Sequence, residues 1–558
     1  MYDEFAGFGG SSQGATAVPE VELVLAANHS PKAVEVHALN FPDADHYLGD
    51  VTKADLTRFP RADLFWSSPA CPPFSNARGE KQFFDAATQA VLFDDPDETD
   101  AEKAARVALA KRRALMEEVP RYLRAVAGRG EPVLAGVVEN VPPVRKWDRW
   151  DAWRREIETA GPGYRTRLIA LNSMHAHAVR TRWAPQSRPR AYLAYWLATL
   201  GRDPDWDKWL RPRAYCPTCD QMVAAVQVWK EPGKDMGVYG PRTGQYVYRC
   251  PQIHGAWKRR QRPGLVEPDA LPASVAIDWT LPPGQRIGER TTAKGRPDPL
   301  EPATLTRIGA ALAKFAGRAV LTPAGGTRRT DGYPVDIPMP TRTTKETDAL
   351  VTPPALLVPT TARARSAYPA QGPLRTQTTR QETALVMAPF LTTLRGGGSK
   401  ETGRGIDQPL ATFSAQGTHH ALIGPPPTVA PHGTGDLLVP YYGNATARPV
   451  TAPAGTFPTR ARWALLGVPT TPAPDDADAW ADVPVPAVED CTFRMLTPRE
   501  IAAGMAFDPA YKVTGSQRDQ VAGLGNAVTP PAAEIIVSAL VEAITGQPLP
   551  EPAMAVAA

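Results

Sequence analysis

The pattern that most constrains this chain is the alternation of short apolar strands with helices over residues 1–200. Apolar runs at residues 21–27 and 132–141 each end in polar residues, and stretches of helical composition separate the runs. Such alternation is typical of an open, mostly parallel sheet with helices on both faces. The sequence therefore predicts a doubly wound α/β domain whose ligands bind at the carboxyl ends of the strands.

Length and composition exclude several classes of protein. A chain of 558 residues exceeds one ordinary core, so we expect several domains. The net charge of +4 is too small to indicate nucleic-acid binding by itself, and five sparse cysteines do not resemble a disulfide framework. Because the sequence shows neither an apolar run of about 18 residues nor a signal-peptide pattern, we expect a cytoplasmic protein with no membrane partner.

Glycines and polar residues follow the first three strands. Gly7 and Gly9 permit close approach of a ligand to the start of a helix, although ordinary turns are also rich in glycine. Asn28 and His29 follow the second strand, and Asp50 follows the third. In doubly wound folds these positions contact a ribose and a base, so the pattern predicts a site for a nucleotide-like cofactor.

A single cysteine, Cys71, lies in a Ser- and Pro-rich turn after the next apolar run. A thiol at the end of a strand suits covalent chemistry, and a small buried residue is the alternative. Further along the chain, Glu139 ends the buried run at 132–141, and Arg188 and Arg190 lie in the segment Gln-Ser-Arg-Pro-Arg. These residues supply a nucleophile, a carboxyl group and two cations.

In their order along the chain, these motifs resemble those of the cytosine-specific (carbon-5) DNA methyltransferase family of bacterial or phage type. The resemblance implies a Rossmann-like methyltransferase domain interrupted by a long, mostly β target-recognition region. The matching segments are the glycine turn that begins at Phe5, the turn around Cys71, Glu139-Asn140-Val141, Gln186-Ser-Arg188-Pro-Arg190, and residues 494–501 and 525–531.

The resemblance also implies roles for these residues. S-adenosylmethionine is the expected cofactor, double-stranded DNA the expected partner, and a restriction-modification context and a monomer are expected. Cys71 would add to carbon 6 of a flipped-out cytosine. Glu139, kept protonated by an apolar setting, would donate to ring nitrogen 3, while Arg188 and Arg190 favour the thiolate and hold the base. The residues expected to line the cofactor are Phe5, Gly7, Gly9, Asn28, His29, Asp50, Asn526 and Val528.

Three positions depart from the family pattern. Ala70 replaces the proline before the cysteine, Asn28 replaces a ribose-binding glutamate, and His29 occupies a position that often carries an aromatic ring. Two alternatives therefore stay open. One is a related enzyme that modifies DNA cytosine with another one-carbon donor, and the other is a catalytically inactive DNA-binding protein.

A second group of reactive residues follows residue 200. Cys216 and Cys219 form a Cys-x-x-Cys pair, and Cys250 precedes His254 by four positions. Three cysteines and a histidine suit a tetrahedral structural zinc ion. The alternative is a set of surface thiols with a chance histidine.

A repeat occupies the region that follows. Four prolines are each followed by a short apolar segment, which indicates stacked similar units. The units either contact DNA or form a Pro-rich β spacer. The prolines are Pro338, Pro373, Pro409 and Pro449, and the predicted strands are residues 349–351, 384–386, 421–423 and 464–466.

Five regions are thus predicted. The catalytic domain is expected in two parts, with the S-adenosylmethionine-binding part first and a closing part near the end of the chain. The regions are residues 1–200 (first part), 201–330 (zinc binding and target recognition), 331–490 (Pro/Thr-rich repeats), 491–545 (closing part) and 546–558 (a flexible tail).

Overall fold

A computed structural model describes residues 1–69, 114–257, 260–271, 285–300 and 497–551, together with short pieces between 273 and 305 and strands between 320 and 495. The first eight strands are β1 (Tyr2–Glu4), β2 (Leu25–Asn28), β3 (Asp45–Leu48), β4 (Leu64–Ser67), β5 (Ala135–Asn140), β6 (Tyr164–Asn172), β7 (Gln186–Ser187) and β8 (Pro189–Leu197).

Seven of these strands form one central sheet in the order β3-β2-β1-β4-β5-β8-β6. Strands β1 to β5 pair in parallel, whereas β8 pairs antiparallel with both β5 and β6. The chain order reverses at β1, with β2 on one side and β4 on the other, so a crevice opens between the carboxyl ends of these strands. The predicted doubly wound, mostly parallel α/β fold is therefore confirmed.

Helices cover both faces of the sheet. Adjacent residues of β4 show this, because Phe65 packs in one apolar cluster and Trp66 in another. Period-two alternation sends successive side chains to opposite faces. The helices are α1 (Gly10–Thr16), α2 (Pro31–Asn40), α3 (Glu118–Gly128), α4 (Trp150–Glu158), α5 (Trp206–Leu210), α6 (Pro498–Gly504), α7 (Gln517–Asn526) and α8 (Pro530–Thr545).

The last helix, α8, packs against helices and strands formed by the first 200 residues. A Cβ atom added to Gly14 of α1 would lie 2.1 Å from the Pro530 carbonyl oxygen, so the two helices approach as closely as backbones permit. The segment Gln517–Thr545, which contains α7 and α8, is long and apolar enough to cross a membrane, but 89% of its most apolar window is buried in this structure. Its apolarity is that of a core helix.

The start of α6 follows directly from sequence. Thr497 accepts from the Glu500 backbone, and the Glu500 side chain accepts from the backbone of Thr497. Pro498 occupies the first helical turn, where its missing N–H costs no hydrogen bond. This capping box matches the helix start predicted by Thr-Pro-Arg-Glu.

One carboxylate ties α8 to a loop more than 350 residues earlier. Glu534 is 0% exposed, and its side chain accepts backbone hydrogen bonds from Val179, Arg180 and Thr181 at 2.6–2.8 Å. Removing the carboxylate leaves three part-buried N–H groups without their acceptor, each at a cost of about 1 kcal/mol or more. We expect Glu534→Ala to lower the free energy of unfolding by about 3–5 kcal/mol in urea titrations.

Glu551→Ala is the matched control, because Glu551 is exposed. Its substitution should change the free energy of unfolding by less than about 0.5 kcal/mol. Equal losses in the two variants would contradict the role assigned to Glu534.

Small sheets follow the central one. Strands β9 and β10 form a hairpin, and β11, β12 and β13 form a three-stranded antiparallel sheet. These strands are β9 (Arg213–Cys216), β10 (Gln221–Ala224), β11 (Val226–Trp229), β12 (Tyr246–Trp257) and β13 (Arg260–Val266). They are followed by β14 (Gln285–Arg286).

The four predicted repeat strands are present as strands β18, β21, β24 and β27. Each pairs antiparallel with a strand of its own unit, and that partner also pairs with a short strand. The units are β15 (Val320–Pro323), β16 (Tyr333–Pro334) and β18 (Asp348–Thr352); β19 (Leu356–Pro359), β20 (Tyr368–Pro369) and β21 (Thr383–Val386); β22 (Phe390–Thr393), β23 (Gly403–Gly405) and β24 (His420–Ile423); and β25 (Leu437–Pro440), β26 (Arg448–Pro449) and β27 (Trp463–Leu466). Strand β17 (Met339–Pro340) lies within the first unit, and β28 (Thr492–Met495) follows the last.

The register is the same in all four units. In each unit the second residue of the first strand pairs with the third residue of the observed repeat strand (β18, β21, β24 or β27), and both are leucines. The pairs are Leu321↔Leu350, Leu357↔Leu385, Leu391↔Leu422 and Leu438↔Leu465. A shared register over four units indicates one repeated supersecondary structure rather than a linker. Of the repeat prolines, Pro449 lies in a strand, and Pro338, Pro373 and Pro409 lie outside the described residues.

The first repeat unit joins the catalytic part of the chain. Strand β28 pairs with β18 on one side and with β14 on the other. Strand β17 pairs in parallel with β7, which contains Gln186. The five-stranded sheet β14-β28-β18-β15-β16 therefore crosses the predicted boundaries at 330/331 and 490/491.

Candidate active site

The predicted site residues that the structure describes gather mainly at the carboxyl edge of the central sheet. Phe5 and Asp50 follow β1 and β3, Asn28 is the last residue of β2, and Glu139 lies near the end of β5. Parallel strands bring these ends to one edge. The cofactor candidates thus lie on the β1 to β3 side, and the catalytic candidates on the β4 and β5 side.

The turn after β1 has a constrained backbone. Phe5 has a φ of 59°, which is uncommon for a residue with a side chain, and Gly9 has a φ of 81° where α1 begins. Non-glycine residues in this region cluster at functional sites. A Cβ atom on Gly10 would lie 1.9 Å from the Val528 carbonyl oxygen, so the turn and the closing loop touch through backbone.

A buried carboxylate lies beneath this turn. Asp3 is 0% exposed, and its Oδ2 accepts hydrogen bonds of 2.6 Å from both Ser11 and Ser12. Its other oxygen, Oδ1, is buried without a hydrogen-bond partner among the described residues. The Ser12 hydroxyl also contacts His37, which contacts His46. An unpaired carboxylate oxygen beside a close-approach turn suits the cationic methionine part of S-adenosylmethionine.

The other cofactor candidates are placed as follows. Asn28 accepts from the Ser30 backbone N–H at 2.9 Å, and His29 is exposed. Asp50 is exposed, and hydrogen bonds from Thr52 lower the pKa of its carboxyl group. The side chains of Asn28 and Asp50 both accept hydrogen bonds from residues two positions ahead, which fixes their orientation at the edge.

Two residues of the closing loop complete this side of the edge. Asn526 is the exposed last residue of α7, and Val528 is buried against the glycine turn. Gly7 has a φ of 56° in the same turn, a conformation that glycine adopts without strain.

The nucleophile candidate Cys71 and its neighbour Ala70 lie outside the described residues. The described chain ends two residues before Cys71, at Pro69, and this end is anchored. The Ser68 N–H donates to the Glu4 carbonyl, and the Asn140 side chain donates to the Pro69 carbonyl at 3.3 Å. The base of the cysteine turn is therefore attached to β1 on one side and to the end of β5 on the other.

Glu139 forms a buried ion pair. Arg190 Nε lies 2.8 Å from Glu139 Oε1, and the side chains are 9% and 4% exposed. The sequence predicted an apolar setting that keeps a proton on Glu139, but the structure places a guanidinium there. The two residues meet because β5 and β8 are antiparallel neighbours. Arg190 thus fixes the orientation of the carboxyl group.

Arg188 is bound to the closing loop. Its guanidinium donates to the carbonyls of Gly525 at 3.2 Å and Ala527 at 2.8 Å, and the residue is 2% exposed. These carbonyls flank Asn526, so Arg188 positions the loop that carries Asn526 and Val528. Its contact with the thiolate or the target base stays a prediction.

Sequence reasoning missed Asp3, Ser11 and Ser12, and it missed the anchoring role of Asn140. No sequence pattern indicates the contact between Asn140 and Pro69, because the two residues are 71 positions apart. Asp3 had a readable signal, because adjacent carboxylates in the first strand of a predicted sheet, Asp3 and Glu4, need partners when buried.

The buried carboxyl groups predict a pH dependence of stability. Burial raises the pKa of Asp3 to about 7 and that of Glu4 to about 8, whereas the unfolded values are near 3.9 and 4.3. The folded state therefore keeps protons that the unfolded state has lost, and stability falls as pH rises through this window. Burial lowers the pKa of His37 to about 3, whereas the unfolded value is near 6.5. His37 therefore makes stability rise with pH, but only below about pH 6.5.

We expect the cofactor-free protein to lose stability from about pH 6.5 to 8. The slope is about 1.4 kcal/mol per pH unit for each carboxyl group that stays protonated only when folded. Urea unfolding at three pH values measures it. Glu4→Gln should flatten the slope and Glu551→Gln should not, so stability that rises with pH in all three proteins would refute the assignment.

The three cysteines of the predicted metal site also come together. The sulfur atoms of Cys216, Cys219 and Cys250 lie within 4.8 Å of one another. The backbone of His254 lies in β12, and its side chain is outside the described residues. These residues lie apart from the carboxyl edge in sequence, in the small sheets after the central one.

Comparison with known proteins finds a family whose model matches two parts of this chain. Residues 1–95 and 452–542 match the model of the C-5 cytosine-specific DNA methylases. The first match covers the glycine turn and Cys71, and the second covers Asn526 and Val528.

Individual relatives match over parts of their length. The chain is 33% identical over 94 residues to the Type II methyltransferase M1.ScrFI of Lactococcus lactis subsp. cremoris, and 26% identical over 196 residues to M.MspI of Moraxella sp. The matched segments are 17% and 35% of this chain, and they span 23% and 38% of the two relatives.

Two solved structures align over nearly the whole chain. A Spodoptera frugiperda DNMT2 structure covers 97% of this chain and 99% of its own, with 13% identity and a TM-score of 0.40. The methyltransferase EhMeth of Entamoeba histolytica covers 97% of both chains, with 10% identity and a TM-score of 0.39. These TM-scores are too low to support a conclusion.

Proposed function

We propose that this chain, whose residues 1–95 and 452–542 belong to the C-5 cytosine-specific DNA methylase family, is a DNA cytosine-5-methyltransferase. One observation carries the proposal. Asn140 anchors Pro69 beside the buried Glu139–Arg190 pair, so the turn that leads to Cys71 begins next to a fixed carboxyl group. A nucleophile and an acid are needed together for this reaction.

The need for a thiol follows from the chemistry of cytosine. Carbon 5 of the ring is a weak nucleophile, and addition of a thiolate at carbon 6 converts it into an enamine carbon. The Cys71 sulfur forms the bond to carbon 6, and the displaced electron pair moves toward ring nitrogen 3. After the methyl group is bound at carbon 5, a water molecule takes the carbon-5 proton, and the bond between Cys71 and carbon 6 breaks with its electron pair returning to sulfur. Nitrogen 3 then returns its proton to Glu139.

Glu139 is the proposed proton donor to ring nitrogen 3. Its carboxyl group is held at the edge by Arg190. The carboxylate takes up a proton from solvent before the reaction and donates that proton to the nitrogen as electron density arrives there. Arg190 balances the carboxylate that remains after donation. The target cytosine must leave the duplex to reach this buried position.

S-adenosylmethionine is the proposed cofactor, and when bound it supplies an electrophilic methyl group. The residues present fit it. Asp3 offers an unpaired buried oxygen, Gly10 permits backbone contact, and Arg188 holds the loop of Asn526 and Val528. Phe5, Gly7, Gly9, Asn28, His29 and Asp50 are the further candidates to hold it.

Duplex DNA is the proposed substrate, and residues 201–490 are proposed to recognise it. Their attachment supports this role, because β17 of the first repeat unit pairs with β7 directly before Arg188. Recognition strands joined to the catalytic sheet are positioned near the edge where the base must enter.

The test is incubation of the protein with duplex DNA and labelled S-adenosylmethionine, followed by mass spectrometry of the nucleosides. We expect 5-methylcytosine. A cytosine adduct of another mass would show that the donor is not S-adenosylmethionine. DNA binding without modification would show a DNA-binding protein with no methyltransferase activity. Unlabelled competitor donor and heat-treated protein are the controls.

A further inference from the structure

The second cluster of reactive side chains has the spacing of metal ligands. Cys219 Sγ lies 3.7 Å from Cys250 Sγ, and Cys216 Sγ completes a triangle within 4.8 Å. Zinc–sulfur bonds of about 2.3 Å in a tetrahedron place the sulfurs about 3.8 Å apart. The observed contact has this length, whereas a disulfide bond is about 2.05 Å.

The first two cysteines lie in a tight turn between β9 and β10. The backbone N–H groups of Thr218 and Cys219 donate to the Cys216 sulfur. Asp220, directly after Cys219, has a φ of 50°, which returns the chain to β10. This turn brings two sulfurs to one side and directs backbone N–H groups at one of them.

The third cysteine lies in a matching bend of β12. The pairing of β12 with β13 shifts its register between Arg249 and Ile253, so Cys250 lies in a bulge. The Gln252 N–H donates to the Cys250 sulfur at 3.4 Å. Two loops with N–H groups directed at sulfur therefore face each other.

We propose that Cys216, Cys219 and Cys250 bind one structural zinc ion. Ligand sets dominated by thiolates are typical of structural zinc sites. The inference does not depend on the proposed methyl transfer.

The zinc ion stabilises a region that has little core of its own. Among the described residues, nine buried ones form the apolar cluster around Cys216 and Cys250, and one of them, Ala170, belongs to β6 of the central sheet. Gln227 donates to the Ala170 carbonyl at 2.8 Å, and the Arg213 N–H donates to His177. The ion thus holds the strands that pack against the segment leading to Arg188.

The test is metal analysis of the full chain, purified under reducing conditions without a histidine tag or chelator. We expect one zinc per chain, and a loss of at least tenfold in Cys216→Ser and in Cys250→Ser. Cys491→Ser is the matched control and should keep its zinc. Substitution of cobalt should give the visible spectrum of a tetrahedral site with at least three sulfur ligands.

A variant that fails to fold does not obscure the result, because the wild-type protein supplies a second readout. Chelation of the folded wild type should raise the number of thiols that react with a thiol reagent by three. Zinc-free wild type, zinc retained in Cys216→Ser and Cys250→Ser, or an unchanged thiol count would overturn the proposal.

Discussion

Cys71→Ala is expected to abolish methyl transfer, with a fall in single-turnover rate of roughly 10⁴-fold or more, as when other covalent nucleophiles are removed. Without the thiolate, carbon 5 of cytosine is not activated, and the correct placement of cofactor and base does not compensate. Binding of S-adenosylmethionine should persist, because Cys71 follows β4 along the chain, whereas the cofactor candidates Phe5, Asn28 and Asp50 lie at the ends of β1 to β3. The measurement is methyl incorporation into duplex DNA.

A covalent readout separates loss of chemistry from loss of structure. Duplex DNA with fluorine at carbon 5 of the target cytosine blocks the final proton loss, so the thiol adduct accumulates. We expect a denaturation-resistant protein–DNA complex with wild type and with the control Cys491→Ala, and none with Cys71→Ala. A complex of equal yield in Cys71→Ala would show that another residue is the nucleophile.

Glu139→Gln is the second large effect, with an expected loss of roughly 10²–10⁴-fold in the methyl-transfer rate. The amide keeps the shape of the side chain, but it lacks an acidic proton for ring nitrogen 3. It also lacks the charge that pairs with Arg190, and breaking a buried ion pair costs about 3–5 kcal/mol of stability. The rate must therefore be measured well below the melting temperature of the variant.

The pH profile separates these two effects. A purely structural role for Glu139 predicts a lower Tm with an unchanged pH dependence of the rate, whereas a proton donor predicts a changed pH dependence. Glu231→Gln, at an exposed position, is the matched control and should alter neither quantity. A rate in Glu139→Gln close to that of wild type would exclude it as the acid.

Local patterns were readable because they depend on neighbouring residues. The capping box at Thr497 and Glu500, and the glycine turn at Gly9, formed as expected from short-range hydrogen bonding and backbone sterics. The repeat strands were also found, since a fixed spacing of apolar segments reports a repeated unit regardless of its surroundings.

Contacts between distant segments were not readable. The Glu139–Arg190 pair depends on β8 lying antiparallel beside β5, and the bond from Asn140 to Pro69 depends on β4 lying on the other side of β5. An ion pair changes the predicted setting of Glu139 from apolar to charged. No local pattern carries this information, because strand order is a property of the whole sheet.

The sequence by itself determined the fold class, the order of the motifs and the identity of the reactive side chains. Periodicity, glycines and ligand chemistry are properties of residue types, and they do not depend on packing. Only the tertiary structure showed that Arg188 holds the closing loop and that the first repeat unit pairs with β28. It also showed that three cysteine sulfurs lie within 4.8 Å of one another. Those facts depend on strand order and register, which are set when segments hundreds of residues apart pack into the same core.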